Sequence, residues 1–373
     1  MKFMLVAALA AVGLPNTASA QDTTVWRRFE VQVRGQSRYG YRDGAGQVRL
    51  PARFDTFTPA VRFRHIMAVA EAGTATGYYL LKGGRAVGRD SVYMSEDYEV
   101  ACESEGLIVF RDRRRNRVGF LNGQGRAVIP AVYNAVTPFH NGLAVALLGA
   151  RRSCWNPGGD TLTCEHRGWQ GGRSFLINPR HEIVAELPAD LPVETLNWYS
   201  LRRNVPAPDT ATTRTLLGAT GDRLTFTDYG KEFRHWFFGQ FVPVVRSGSA
   251  ADLEAACFPE VTTAGQPFRG WSHGGRAAFV AKFRPLLHQQ LAARRPGMPG
   301  LAFFGDRLNS SLYEGPAYAQ FFTDCGEPFA EKYPVFVVVL DYPAPTPQAP
   351  ANGQRHFTFL RTATGYRLLS VAL

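Results

Sequence analysis

Beyond residue 20 the sequence has no apolar run that approaches the length of a membrane-spanning helix, and its most apolar later stretch, 237–245, is broken by Gln240 and Pro243. Stable membrane insertion is therefore not expected. The phosphate-loop, dinucleotide, EF-hand and H-E-x-x-H spacings are missing, so no catalytic residue, cofactor or metal is legible. Lysine is scarce. It occurs only at positions 2, 82, 231, 282 and 332, and arginine supplies 37 of the 42 basic residues behind a formal net charge of +11. Either a biased genome composition or a selected affinity for phosphate- and carboxylate-rich envelope polymers produces such an excess.

What is present begins with an export signal. Lys2, an apolar run over residues 3–14 and Ala18-Ser19-Ala20 before Gln21 have the layout of a secretory signal peptide cleaved after Ala20. A periplasmic or secreted protein is expected, which makes nucleic acid an unexpected partner. Five cysteines in an exported chain favour oxidation. Cys154 and Cys164 bracket a short loop and are expected to pair. Cys257 and Cys325, both in the C-terminal half, form the second expected pair and leave Cys102 over. A metal site of Cys154, Cys164 and His166 is the alternative for the first pair, but it lacks an obvious fourth ligand.

The stretch 118–145, VGFLNGQGRAVIPAVYNAVTPFHNGLAV, organises the N-terminal half because it recurs upstream. Shifting by 79 residues lays Gly40 on Gly119, Tyr41 on Phe120, Gly46 on Gly125, Pro51 on Pro130 and Phe54 on Tyr133. Each copy reads as a hairpin: a short apolar strand, a turn carrying Asn or Asp and glycines, and a return strand that meets proline. A weaker copy runs through Tyr78-Tyr79-Leu80 and Arg85-Ala86-Val87, with Val100-Ala101-Cys102 as its exit strand. Another follows a long cysteine-bearing loop at Ser174-Phe175-Leu176-Ile177. A last hairpin, Thr215-Leu216-Leu217 to Arg223-Leu224-Thr225-Phe226, caps the series with polar threonines. One hairpin is marginal in water, so neighbours must stack to bury a shared face.

These units resemble WG repeats, on the aromatic-Gly-aromatic, [Asp/Asn]-Gly-x-Gly and Gly-Leu-Ala-Val patterns over about residues 25–226. Tyr39 and Val118 stand where the namesake tryptophan would be. The resemblance implies a binding or scaffolding array and carries no catalytic residues. A Pro/Thr-rich connection at 205–213 follows the fourth unit. From Asp228 the period becomes helical, with Phe233, Trp236, Phe237, Phe241 and Val244 on one stripe to about Arg246. Short and long helices are read at 250–257 and 274–293, the latter with Phe279, Phe283, Leu287 and Leu291 on its apolar side. A β-branched strand at 334–342 and a closing hairpin at 355–361 and 366–372 end the chain. The order resembles the nuclear transport factor two-like cone, which implies a pocket between a bent sheet and a long helix. The fold class expected is thus a mainly β repeat array of hairpins over 21–227, followed by an α+β domain over 228–373.

Arg111, Arg113, Arg114, Arg115 and Arg117 surround Asp112 and Asn116, either as an anion-gripping loop or as a solvated hairpin tip. Trp155, Trp169 and Trp198 read as sugar-stacking faces or as partly buried staples. Asp306, Tyr313, Glu314 and Asp324 are the pocket candidates of the C-terminal half. The function expected is an exported, non-enzymatic protein that recognises a protein or anionic envelope polymer. The alternative is a small-molecule enzyme or ligand carrier using the C-terminal domain.

Overall fold

The computed structural model describes residues 24–372 except 75, 96–98, 155–163, 165–166, 194–195, 207–208, 266–269 and 342–352. The expected signal peptide, Trp155 and His166 lie outside the described residues.

The N-terminal half is a succession of small antiparallel sheets. Unit one pairs Trp26–Val33, Gln36–Arg42 and Val48–Phe54; unit two pairs Ile66–Val69, Tyr78–Leu81 and Ala86–Val87. Leu107–Asp112, Arg117–Asn122 and Ala127–Tyr133 form unit three. Unit four is built on Ala144–Leu148, Arg173–Ile177 and Ile183–Leu187, and unit five on Arg202–Arg203, Thr213–Leu217 and Arg223–Thr227. The strand entering unit three is Leu107–Asp112 and not Val100-Ala101-Cys102. Val100 makes only an isolated bridge to Met94, and the left-handed pair Glu105-Gly106, φ 53° and 80°, turns the chain into the strand.

All five hairpins close with one five-residue turn. Its first N–H donates to the carbonyl four residues on, its fourth N–H donates back to the first carbonyl, and its fourth residue is left-handed. The fourth residues are Gly46, Gly84, Gly125, His181 and Gly221, with φ 82°, 85°, 71°, 63° and 83°. Where Asp43, Asn122 or Asn178 opens the turn, its Oδ1 accepts two further backbone N–H groups.

Burial explains why the hairpins sit in a row. Strand residues alternate between faces, and in unit two both faces are used. Met67, Val69, Tyr78 and Leu80 pack on unit one, while Ile66, Ala68, Tyr79 and Leu81 pack on Ile108 and Leu121 of unit three. Unit three turns Val109 and Phe120 towards Ala144, Ala146 and Phe175 of unit four, whose Leu143, Val145 and Leu176 meet Leu216 and Leu224 of unit five. The threonines expected at the terminal edge pair there, Thr215 Oγ1 and Thr225 Oγ1 lying 3.1 Å apart.

The C-terminal half is a six-stranded sheet in the order Trp271–Gly275, Cys257–Ala264, Gly365–Ala372, Gln354–Thr362, Val335–Asp341, Leu301–Asp306, with Cys257–Ala264 parallel to Gly365–Ala372. Three of these strands, 257–264, 271–275 and 301–306, escaped the sequence reading. Helix α1 (Tyr229–Trp236) begins at Asp228, whose carboxylate accepts from the Lys231 N–H at 3.0 Å. A π-turn, Phe237–Phe241, then leads into α2 (Val242–Ser247), because Pro243 has no N–H for the preceding turn. Helices α3 (Ala250–Ala255) and α4 (Arg276–Leu291) complete the layer. Phe233, Phe237, Phe241, Phe279 and Leu287 fill the space between helices and sheet against Phe336, Phe357 and Phe359. The opposite face is covered by the irregular segment 307–333 through Leu308, Tyr313, Tyr318 and Phe321.

That segment also joins the two halves. The Asp324 carbonyl accepts the N–H groups of Val61 and Arg62, and its carboxylate pairs with Arg62 at 2.8 Å and Arg64 at 2.5 Å. Cys325 is bonded to Cys102, with Cα atoms 6.1 Å apart across 223 positions. The expected Cys257–Cys325 pair is therefore incorrect. Cys257 is a free thiol with no exposed surface, packed among Val261 and Leu368, and burial pushes its pKa up to about 12. Further along, Phe329 lies against His140 and Tyr199, their ring centroids 6.3 and 5.4 Å away.

Candidate functional site

Among the described residues no sheet stacks on the outer face of unit one, where Val31, Val33 and Val48 are exposed, and its register gathers cations there. Arg27 lies directly opposite Arg42, and Val31 opposite Arg38. Facing like charges destabilise a strand pair. Yet among the described residues neither Arg27 nor Arg42 reaches a carboxylate, and Arg42 instead rests over the Phe29 ring at 4.3 Å. Phe29 itself covers Gly40, where an added Cβ would fall 2.6 Å from both the ring and the Leu50 carbonyl oxygen. Gly119 is under the same constraint, 2.4 Å from the Ile129 oxygen, since both return strands bulge over the glycine near Pro51 and Pro130.

The arginine-rich loop is the tip joining Leu107–Asp112 to Arg117–Asn122. Asp112 Oδ1 accepts from the N–H groups of Arg114 and Arg115 at 3.0 and 3.2 Å, and Asn116, φ 52°, closes the turn. Arg111 and Arg117 are half-buried and bond Asn116, whereas Arg113, Arg114 and Arg115 project into solvent. Arg115 lies within 3.9 Å of Asp112; Arg113 and Arg114 have no carboxylate partner among the described residues.

The C-terminal candidates do not converge. Asp306 is exposed at the end of its strand and accepts from the Arg307 N–H at 2.7 Å; Glu314 is exposed as well. Tyr313 is buried, which raises its pKa, and Asp324 is tied up with Arg62 and Arg64. Tyr313 instead belongs to a polar patch that the sequence reading missed. His273 Nδ1 lies 3.1 Å from Thr262 Oγ1 and 3.2 Å from Glu260, which also accepts from the Tyr318 hydroxyl at 3.1 Å. Gly270-Trp271-Ser272-His273-Gly274 nearby has the glycine–serine–glycine spacing of hydrolase nucleophiles. Ser272 sits within an edge strand and bonds Thr263 at 2.9 Å, whereas His273 pairs with Thr262, so the two side chains leave opposite faces of the sheet. A histidine on the far face cannot take the Ser272 proton.

Among the aromatic candidates Trp198 is buried between units four and five, and Trp169 lies under Arg152 at 4.8 Å. Cys154 and Cys164 pair as expected, their Cα atoms 6.0 Å apart. Among the described residues no cluster of three histidines, cysteines or carboxylates suits a metal, and no helix is long and apolar enough to cross a membrane.

No curated protein matches the chain. Residues 119–150, which hold the unit-three hairpin and the strand entering unit four, match the family model described as WG containing repeat.

Proposed function

We propose that the chain is an exported, non-enzymatic binding protein whose array grips an anionic envelope polymer through the outer face of unit one and the arginine tip at 111–117. The observation that carries this reading is the Arg27–Arg42 opposition: two cations face each other across a strand pair with no carboxylate partner among the described residues, an arrangement that a polymer phosphate or carboxylate would relieve. The two cysteine pairs fit an oxidising compartment. The helices-first order, the long helix α4 packed on the sheet and the closing hairpin support a nuclear transport factor two-like domain over 228–373.

The test is fluorescence anisotropy of labelled polyphosphate and polyglutamate with the purified chain. The double variant Arg27→Gln/Arg42→Gln is expected to bind at least tenfold more weakly. Its plot of log affinity against log salt should flatten by about one to two units, as two fewer counterions are released. If neither polymer binds the unmodified chain at low salt, the reading fails.

A further inference from the structure

An open trough of about 970 Å³ runs between α1 and the edge strand Leu301–Asp306, within the size range of small-molecule sites. Two chemistries meet in it. Phe238, Met298, Leu301 and Phe303 give an apolar floor, and Phe303 is fixed edge-on to Phe237 at 5.4 Å. Above the floor stand Lys231, Arg234 and His235, all exposed and on one stripe of α1. Among the described residues none of these three forms an ion pair, and Arg234 lies over the Phe303 ring at 5.6 Å. The lining contains a single carboxylate, Asp209, whose oxygens accept from the Thr212 hydroxyl and the Ala211 N–H at 2.8 Å each.

A neutral apolar ligand would leave the cations unmatched, and a small anion would leave the floor wet. We infer that the trough takes a medium-chain fatty carboxylate, with its chain along Phe238 and Phe303 and its head group between Lys231 and Arg234. This site is distinct from the unit-one face and the arginine tip at 111–117 and does not depend on their polyanion.

Gly239 supplies a clean probe. It lines the trough, its φ is ordinary, and a Cβ built there meets nothing within 4 Å, so Gly239→Leu fills the site without disturbing the core. Calorimetric titration of the full chain with dodecanoate below its micelle concentration should show one site. Gly239→Leu should weaken binding at least tenfold with no fall in thermal midpoint, and Lys231→Gln/Arg234→Gln should do the same. Shortening the chain to decanoate and octanoate should lose roughly two- to fourfold per methylene. Decanol should bind at least tenfold more weakly than decanoate. The inference is overturned if dodecanoate does not bind, if decanol matches decanoate, or if Gly239→Leu binds like the unmodified chain.

Discussion

His181 occupies the left-handed corner that the other four hairpins give to glycine. A side chain there costs on the order of 1 kcal/mol, and His181 recovers part of it through Tyr133, whose hydroxyl lies 2.9 Å from Nε2. The other corners differ in what surrounds them. At Gly46, φ 82°, an added Cβ meets open space, whereas at Gly125, φ 71°, it falls 3.0 Å from Val87 and 3.2 Å from Leu81 of the neighbouring unit. Gly46→Ala should therefore cost about 1 kcal/mol of stability, and Gly125→Ala about 2 kcal/mol or more, measured by urea denaturation. Equal losses would mean that the units do not press on one another at their tips. The turn glycines were legible in the sequence because their type and spacing repeat. The need for Gly40 and Gly119 was not, since it arises from a bulge in a partner strand, and strand pairing leaves no local mark.

Among the elements, the segment 319–333 matters most for how the molecule holds together. Thr323-Asp324-Cys325-Gly326-Glu327 closes with the same hydrogen bonds as the five array turns, with Gly326 at φ 82°. A single turn between short flanks has no period that would reveal it in the sequence. Next to it, His140 is nearly buried between Trp198 and Phe329, and its Nδ1 has no hydrogen-bond partner among the described residues. Burial lowers the His140 pKa below its ordinary value of 6.5, opposed by the nearby Glu331 and Glu105. The folded state thus binds the proton less readily than the unfolded chain. This contribution to stability is complete above about pH 6.5 and fades as the pH falls from there towards the lower folded value. Urea midpoints at pH 7.5 and 5.5 should differ for the unmodified chain, and His140→Phe should reduce the difference. An unchanged difference would place the effect in another group. The helices and the terminal hairpin were readable from their periodicity. The strands Cys257–Ala264 and Leu301–Asp306 were not, because their pairing partners lie far along the chain.

On the scale of the whole molecule, four hydrophobic interfaces couple the five units, and the Cys102–Cys325 bond with the Arg62–Asp324 pair ties the array to the C-terminal sheet. Chain-entropy arguments assign about 5 kcal/mol to closing a loop of 223 residues and about 3 kcal/mol to the 10-residue Cys154–Cys164 loop. Calorimetry of the oxidised chain should give one cooperative transition. Cys102→Ser/Cys325→Ser should split it in two, and Cys154→Ser/Cys164→Ser should only shift it. A single transition in the first variant would show that noncovalent contacts alone couple the halves. The pairing also bears on biosynthesis. Cys102 is synthesised long before Cys325, so its native bond cannot close until most of the polypeptide has been made, whereas Cys154 and Cys164 can pair much earlier. Fragments that stop short of residue 325 should therefore carry an alkylatable thiol at position 102, whereas the finished protein should not.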